Sequence, residues 1–426
     1  MRFISNIEIS LKKGFFPHFI NELYKNDCEI HNVNMIDDDG ISEKFSVEVV
    51  YPNIKNFKEF VNNINSSQEN YKVTSVVDFQ DEKIKGGLLK VSGKMQLDSM
   101  RDFRIDVLGA LDLIYERIKS RDGVKYTGIS NNIGLVGGIE TKDEENNDHI
   151  LRVYCDIEKD SIIINKFSGY NGIPVLFSYV NQEDFIKSLK SIEKTFSAIK
   201  IEHLDSNDIS LYEQINSELN IPVVSHELDD IPIYILTLLL RIIKNAKLSL
   251  NDTTVGFLGI DTSVLRITRL LMGIGCRRVL GNDFNENLML SFESQSGLAT
   301  TVENILSNAD VVLLFKDYLE DEDYDKIRPG QYYISLLKND KLDKGKIKKR
   351  GVRKIIREED IDISILSPGL LKGVIEGDLK FIDDMKIINF AGKLEKLLSL
   401  SYTFPDMYSD IHNKLNNLLK GTSKNG

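Results

Sequence analysis

The feature of this sequence that most constrains its fold is the regular alternation of strand-like and helix-like segments from residue 81 to about residue 400. A buried strand at 253–258, for example, opens through a tight turn into a helix that runs to residue 272, and the next strand follows at 278–281. Alternation of this kind predicts an α/β fold with parallel sheets covered by helices on both faces. By the order of its elements, the part at 226–400 is predicted to be a Rossmann-type doubly wound domain.

The first 80 residues follow a different order. They contain four strand-like and two helix-like segments, at 3–11, 15–24, 29–36, 44–51, 56–64 and 71–78. The order βαββαβ is that of the split βαβ arrangement, in which two helices cover four antiparallel strands. We therefore predict an α+β domain at 1–80, an α/β lobe at 81–225, the Rossmann-type domain at 226–400, and a helix with a frayed tail at 401–426.

The pattern within the α/β lobe predicts its remaining elements. Helices are expected at 99–119, 182–195 and 208–219, and strands at 126–136, 152–155, 162–166, 173–179 and 198–204. Two polar stretches predict solvated loops: the acidic, asparagine-rich residues 140–148 and, in the Rossmann-type domain, the basic residues 341–354.

Charge and composition argue against two classes of partner. The net charge of −11 disfavours general nucleic-acid binding, which depends on neutralising phosphates. No apolar run reaches the roughly 18 residues that a membrane span requires, and the amino terminus shows no signal-peptide core.

The three cysteines, Cys28, Cys155 and Cys276, are widely spaced in apolar surroundings, which predicts buried, reduced thiols in a cytoplasmic protein.

Four segments carry a resemblance to a known family. Residues 171–175 read N-G-I-P-V, residues 199–203 read I-K-I-E-H against I-N-L-E-D, residues 221–240 follow I-P-V-F-H-D-D-Q-H-G-T-A…L-A-A-L-L without a gap, and residues 367–373 read S-P-G-L-L-K-G against F-P-G-I-F-R-G. In this order the segments resemble malic enzymes. With the βαββαβ unit, the chain resembles the bacterial branch that carries an amino-terminal ACT domain. The resemblance implies an ACT-like domain, a malic-enzyme-like lobe and a Rossmann-type NAD(P)-binding-like domain.

The family's catalytic residues are not found at the matching positions. The resemblance places the tyrosine that acts as the acid at Val107 and the lysine that acts as the base at Asp160, with Lys159 adjacent. The family's G-L-G-D-I-G substrate loop is replaced by residues 140–148. Because each change removes a separate part of the mechanism, the sequence predicts loss of malate oxidation.

The resemblance also places a divalent-metal site. The family's ligands, a Glu-Asp pair and a later aspartate, fall at Glu202, His203 and Glu227, and His226 stands beside the last. Two imidazoles and two carboxylates would suit zinc, iron or manganese. The alternative is that both histidines are ordinary polar residues at strand ends and that no metal is held.

The dinucleotide-binding fingerprint is altered as well. The family's G-A-G-A-A-G falls on residues 258–263, where Gly259 is one place out of register, Ile260 replaces a glycine, and Asp261 adds negative charge where the pyrophosphate would bind. Asp283 follows the second strand, where a ribose-binding acid belongs. We expect NAD(P) to bind weakly or not at all, unless the chain is a working enzyme.

The amino-terminal domain carries the candidate effector site. Gly14 stands in the first strand-to-helix loop, where ACT domains place a glycine, and Asn32 and Asn34 on the next strand could contact a ligand. ACT units commonly pair edge to edge, which implies a homodimer with effector sites at its seam. The alternative is a plain dimerisation module without an effector.

Together these features predict a malic-enzyme-like protein that is catalytically degenerate and acts as a small-molecule-responsive regulatory or binding protein. An amino acid is the kind of effector that the resemblance implies. One alternative is an active NAD(P)-dependent malic enzyme with substituted residues, which would convert malate to pyruvate by oxidative decarboxylation. Another is a purely structural scaffold.

Overall fold

A computed structural model describes residues 3–67, 70–78, 89, 99–119, 127–141, 147–203, 209–316, 319–337, 342–357, 363–399 and 402–423. The chain forms two compact units, residues 1–90 and 91–426. The predicted boundaries at 225 and 400 fall inside the second unit and stay predictions.

The described part of the first unit is a four-stranded antiparallel sheet with two helices. Its elements are β1 (Phe3–Lys12), α1 (Phe16–Lys25), β2 (Glu29–Asp38), β3 (Ser42–Tyr51), α2 (Ile54–Ser67) and β4 (Tyr71–Asp78). The sheet order is β2-β3-β1-β4, so β2 and β4 are its edges. From Ser5 to Leu11, every second residue of β1 is buried, because side chains alternate between the faces of a sheet. The predicted βαββαβ order is confirmed.

The second unit contains two parallel sheets. The strands of its four-stranded sheet are β5 (Asn132–Glu140), β6 (Asn171–Tyr179), β7 (Ala198–His203) and β8 (Val223–Ser225), in the order β6-β5-β7-β8. Those of its six-stranded sheet are β9 (Thr254–Leu258), β10 (Arg278–Asn282), β11 (Leu298–Ala299), β12 (Val311–Leu314), β13 (Tyr332–Ser335) and β14 (Lys354–Ile356), in the order β11-β10-β9-β12-β13-β14. The predicted α/β fold with parallel sheets is confirmed.

Helices connect and cover these strands. They are α3 (Met100–Asp102), α4 (Gly109–Ile118), α5 (Asn147–Ser168), α6 (Gln182–Ile192), α7 (Ile209–Glu218), α8 (Ile231–Asn245), α9 (Thr262–Gly273), α10 (Glu286–Ser294), α11 (Val302–Asn308), α12 (Lys344–Lys349), α13 (Leu366–Glu376), α14 (Asp384–Leu394) and α15 (Ile411–Ser423). Two π-helical segments carry predicted site residues: Phe103–Leu108, between α3 and α4, and His226–Asp230, which leads into α8.

The largest departure from the sequence prediction is α5. Two strands were expected at 152–155 and 162–166, but one helix covers both. Its buried apolar residues Val153, Ile157 and Ile164 recur at intervals of four and seven, the spacing of one helical face, and they pack against β5 and β6. Residues 142–146 of the predicted loop at 140–148 lie outside the described residues, and 147–148 already belong to α5.

Two smaller predictions are also wrong. Part of the basic run at 341–354 is the helix α12, whose first turn is capped by the Asp343 carboxylate, an acceptor for the amides of Gly345 and Lys346 at 2.8 and 3.0 Å. Of the three free cysteines, Cys28 and Cys276 are buried as expected but Cys155 is exposed. No helix among the described residues is both long and apolar enough to cross a membrane.

Candidate functional site

A buried lysine is the centre of the candidate site. Lys200, in the middle of β7, is fully buried, because a parallel strand inside this sheet is covered on both faces. Its Nζ donates to Asp160 on α5 and lies 2.9 and 2.8 Å from the two oxygens of Glu202. Asp230, at the end of the π-helical segment, adds a carboxylate oxygen at 3.5 Å. Ser367 of α13 donates to the same Asp230 oxygen at 2.7 Å.

The environment fixes the charges of these groups. The carboxylates around Lys200 outweigh its burial and raise the pKa of its ammonium above the usual value. Burial raises the pKa of Asp160, but Lys200 and Lys159 reverse that effect and leave the pKa below its usual value. Burial, helped by the Asp160 charge, raises the pKa of Glu202 to about 8. The site is therefore a charged lysine held by carboxylates, and Glu202 takes up a proton at a higher pH than Asp160 does.

The position predicted for the family's base is therefore taken by an internal ion pair. Asp160 is 2% exposed, and its carboxylate holds the Lys200 ammonium. Lys200 stands where the family's segment I-N-L-E-D has asparagine. This chain therefore has a lysine on β7, at the asparagine position, and an aspartate on α5, at the position of the family's lysine. A fully buried, paired ammonium has no access to solvent or to a substrate proton.

The residues predicted as metal ligands have other partners. Both Glu202 oxygens accept from Lys200, and the ring of His203 lies 3.2 Å from Asp156 and 3.9 Å from Glu227. His226 Nδ1 lies 3.4 Å from Asp230 Oδ2. Within the described ranges, no group of three or more His, Cys, Asp or Glu side chains is arranged to hold a metal ion. A metal at the four residues stays a prediction, and the contacts of Glu202 weigh against it.

A second buried network adjoins the first. Asp229 accepts the Tyr212 hydroxyl, the Ser225 amide at 2.8 Å and Arg266 Nη1 at 3.2 Å. Burial raises the pKa of Asp229 to about 6, although Arg266 opposes that rise. A cavity of about 620 Å³ lies beside this network. Its lining residues come from α7, α9, the segment before α14 and the first turn of α14, and they include Arg266, Arg269, Lys380, Phe381 and Met385.

The altered dinucleotide loop is held by its own side chains. Asp283 follows β10, and its carboxylate accepts the Ile260 amide and Lys316 Nζ, both at 2.7 Å. Burial raises the pKa of Asp283, but these donors outweigh it and leave the pKa below its usual value. Asp261 caps α9 through the Val264 amide at 2.9 Å, so its carboxylate takes up one of the amides that would otherwise face an anion.

The backbone conformation at position 259 requires a glycine. Its φ of +88° lies in the left-handed region, and a Cβ there would come within 2.6 Å of the Lys316 amide nitrogen. The glycine therefore serves the close approach of the segment after β12 to the turn after β9. The structure brings Gly259 and Asp283 to the same end of the sheet through contacts within the protein.

Val107, the position predicted for the family's acid, lies in the π-helical segment Phe103–Leu108. Its side chain is half-buried and has no titratable group. The nearest tyrosine along the chain, Tyr115, is 65% exposed on α4. We identify no acid at this position.

The predicted effector residues lie on the first unit. Gly14 has a φ of +87°, and a Cβ there would meet nothing within 4 Å. Its neighbour Lys13 bonds Asp38 at 3.1 Å, which places the Gly14 loop beside the end of β2. Asn34 and Asn32 are exposed four and six residues from Asp38, about 13 and 20 Å away at a strand rise of about 3.3 Å per residue. Within one copy of the chain, Gly14 therefore lies far from the two asparagines.

The site also contains residues that the sequence prediction missed: Lys200, Asp230, Ser367 and Lys316. Lys200 could have been suspected, because a lysine between apolar residues of a doubly covered strand must be buried with a partner. Asp229-Asp230 ahead of a long apolar helix was a comparable signal. No sequence signal marks Lys316, because its role depends on the close approach of two loops.

Two sequence relatives are known enzymes. No protein-family model matches the chain. The chain is 24% identical to NAD-dependent malic enzyme 1 of Bacillus subtilis over 273 residues, which are 63% of this chain and 62% of that protein. It is 24% identical to the NAD-dependent malic enzyme of Geobacillus stearothermophilus over 128 residues, 30% of this chain and 27% of that protein. The chain thus spans less than two thirds of the length of these relatives.

Solved structures show the same fold. The malic enzyme from Pyrococcus horikoshii matches 79% of this chain and 86% of its own, with a TM-score of 0.67 and 17% identity. The NAD-dependent malic enzyme from Thermotoga maritima matches 81% of this chain and 99% of its own, with a TM-score of 0.69 and 16% identity. The chain has the fold of malic enzymes and is similar to them in sequence.

Proposed function

We propose that this malic-enzyme-like protein does not oxidise malate and acts as a small-molecule-responsive regulatory or binding protein. The observation that carries the proposal is the enclosed Lys200–Asp160 pair. Asp160 takes the position predicted for the base, and a buried carboxylate already holding an ammonium cannot remove a substrate proton. Val107 supplies no acid, and the contacts of Glu202 do not fit a divalent metal, so we derive no step through a metal.

The dinucleotide loop supports the same proposal. When bound, NAD(P) would supply hydride transfer, but the loop residues do not fit it. Asp283, the candidate for the ribose, is occupied by Lys316 and the Ile260 amide. Asp261 places a carboxylate at the start of α9, where it opposes a pyrophosphate.

The sensing part of the proposal concerns the first unit. We place an effector such as an amino acid at the Gly14 loop, where a Cβ on the glycine would meet no atom within 4 Å. The asparagines of β2 lie too far along their strand to join that loop within one copy, so we place the site at the seam of a homodimer. Exposed Val33, Met35 and Ile36 on the edge strand β2 support pairing of copies there. Three free cysteines support a reducing compartment, the cytoplasm.

The test is a thermal-shift screen of amino acids, organic acids, nucleotides and metals on the intact protein. A ligand that binds only the native state stabilises it by about 2.7 kcal/mol at 100 times its dissociation constant. An amino acid should raise the Tm of the wild type, and Gly14→Leu should abolish that shift. Gly169→Leu is the matched control, because Gly169 has nearly the same φ, +82°, and equally open surroundings in the turn between α5 and β6.

The screen has a result that refutes the sensing role. If no amino acid shifts the melt, or if Gly14→Leu responds as fully as Gly169→Leu, the first unit is better regarded as a plain dimerisation module. Because both leucines impose the same left-handed strain, of about 1–2 kcal/mol, a lower Tm without ligand does not distinguish them.

A second candidate function is an active NAD(P)-dependent malic enzyme with substituted residues. The sequence similarity to the Bacillus enzyme over 273 residues favours it. It requires a base and an acid other than the groups at Asp160 and Val107. Malate-dependent reduction of NAD or NADP separates the two candidates.

A further inference from the structure

The three carboxylates around Lys200 form what we name the carboxylate cage: Asp160, Glu202 and Asp230. They come from a helix, a strand and the π-helical segment, and each is at most 2% exposed. The Lys200 nitrogen lies between them, with the Glu202 oxygens at 2.8 and 2.9 Å and Asp230 Oδ2 at 3.5 Å. An ammonium is thus the cation at the centre of a buried acidic site.

The cage has more acceptors than the ammonium uses. Among the described residues, Asp160 Oδ1 and Asp230 Oδ1 are buried oxygens without a hydrogen-bond partner. Lys159 Nζ approaches the first only to 3.8 Å. Unpaired buried carboxylate oxygens are costly, and they are the ligands that hard divalent cations prefer. The three carboxylates are therefore arranged around a cation, and that cation is the Lys200 ammonium.

A divalent ion and the ammonium cannot occupy this site together. Metal–oxygen distances are about 2.0–2.6 Å for Mg²⁺ and Ca²⁺. An ion at that distance from both Glu202 oxygens would lie against Lys200 Nζ, which is itself within 2.9 Å of both. Like charges in contact in a buried site repel strongly. We propose that the Lys200 ammonium is the resident cation of the carboxylate cage and that it excludes divalent metals.

This inference goes beyond the proposed regulatory function. A protein that bound manganese in the cage could still lack turnover and respond to an effector. Metal binding and malate oxidation are separate measurements, so the failure of one proposal is distinguishable from the failure of the other.

The experiment measures Mn²⁺ binding by the loss of the free-ion EPR signal, on wild type, Lys200→Met and Lys200→Met/Glu202→Gln. Methionine keeps much of the length of the side chain and removes its charge. A Glu202→Gln variant measures Mn²⁺ binding outside the cage. We expect the wild type to show no saturable Mn²⁺ binding beyond what this variant shows. We expect Lys200→Met to bind one Mn²⁺ per chain saturably, with a half-saturating concentration at least about 100-fold below the highest concentration at which the wild type shows no such binding, because a like charge has been removed from the site. The double variant should lose that binding.

Two results overturn the inference. One is saturable Mn²⁺ binding by the wild type that Glu202→Gln abolishes, and this test does not depend on whether a lysine variant folds. The other is a folded Lys200→Met protein with no gain in Mn²⁺ affinity. If that variant is too unstable to purify alone, purifying it with Mn²⁺ present should recover folded protein. If Mn²⁺ does not recover folded Lys200→Met protein, the inference is overturned as well, because the ion then fails to replace the ammonium in the cage.

Discussion

The ammonium of Lys200 on β7 and the carboxylate of Asp160 on α5 form a direct, fully buried ion pair across 40 residues of sequence. The lysine that the resemblance expects at position 160 is absent, and a lysine stands on the neighbouring strand with an aspartate facing it. The charges of the site are thereby satisfied within the protein. This pair links the stability of the second unit to the absence of catalysis that we propose.

Removing Lys200 should destabilise the second unit. Breaking one partner out of a buried ion pair typically costs about 3–5 kcal/mol, because the carboxylates are left unpaired. Lys200→Met/Asp160→Asn should cost less than Lys200→Met alone, since it removes one of those carboxylates. Urea unfolding followed by circular dichroism, in metal-free buffer, measures both.

The control for that experiment is Lys187→Met. Lys187 pairs with Glu183 at 2.7 Å, but both side chains are more than two thirds exposed. An exposed pair of this kind contributes little to stability, because solvent screens both charges. Equal losses for the Lys187 and Lys200 variants would contradict the buried geometry.

Asp283→Asn should weaken the loop around Gly259 and do so in a pH-dependent way. The donors around Asp283 hold its pKa below the usual value, so its carboxylate stabilises the fold above the unfolded pKa of about 3.9 and that contribution is lost as the pH falls through the folded value. We expect the variant to be less stable than wild type by about 1–3 kcal/mol at pH 7. Acid titrations of stability should show the two curves converging below about pH 4.

Lys316→Met tests the same loop with a smaller effect. The Lys316 side chain is 40% exposed, so its pair with Asp283 is partly screened, while the Ile260 amide still bonds the carboxylate. A larger loss from Lys316→Met than from Asp283→Asn would show that the amide contacts are not the main support.

Neither NAD nor NADP should bind with micromolar affinity. Asp261 opposes the pyrophosphate, and Asp283 is engaged within the protein. Isothermal titration calorimetry on the intact chain measures this directly. Micromolar binding of either nucleotide would mean that the Asp283–Lys316 pair opens to admit it.

Thiol labelling tests the helix α5. Cys155 is exposed on that helix, whereas Cys28 and Cys276 are buried, and burial raises the pKa of the Cys28 thiol to about 11. A maleimide should therefore label one thiol rapidly in the native protein and all three after unfolding. Protection of Cys155 in the native protein would contradict the exposed helical face.

Much of the fold could be predicted from the sequence, because its patterns are local. The turn after β9, for instance, is marked by an apolar strand that ends in glycine. The error at α5 arose because Ile162, Ile163 and Ile164 form a β-branched apolar run that is typical of a strand. The burial of Val153, Ile157 and Ile164 at helical spacing was the competing signal, and it became decisive only because this face packs on β5 and β6.

The site was less predictable for a physical reason. Its contacts join residues far apart in sequence, as Lys200 meets Asp160 and Asp230 meets Ser367 across 137 residues. Taken alone, the alternation of apolar and charged residues in I-K-I-E-H is typical of a strand with one face in solvent. That expectation fails here, because both faces of β7 are covered and its charged residues must find partners within the protein.

The central claim is that the fold of malic enzymes is kept here without malate oxidation. The most direct test is the rate of NAD or NADP reduction by the purified chain with malate and added manganese. We expect no rate above background, since acid and base groups each contribute about 10²–10⁴-fold and neither is in place. Malate-dependent turnover above about 1 s⁻¹, a typical enzyme rate, would contradict the account.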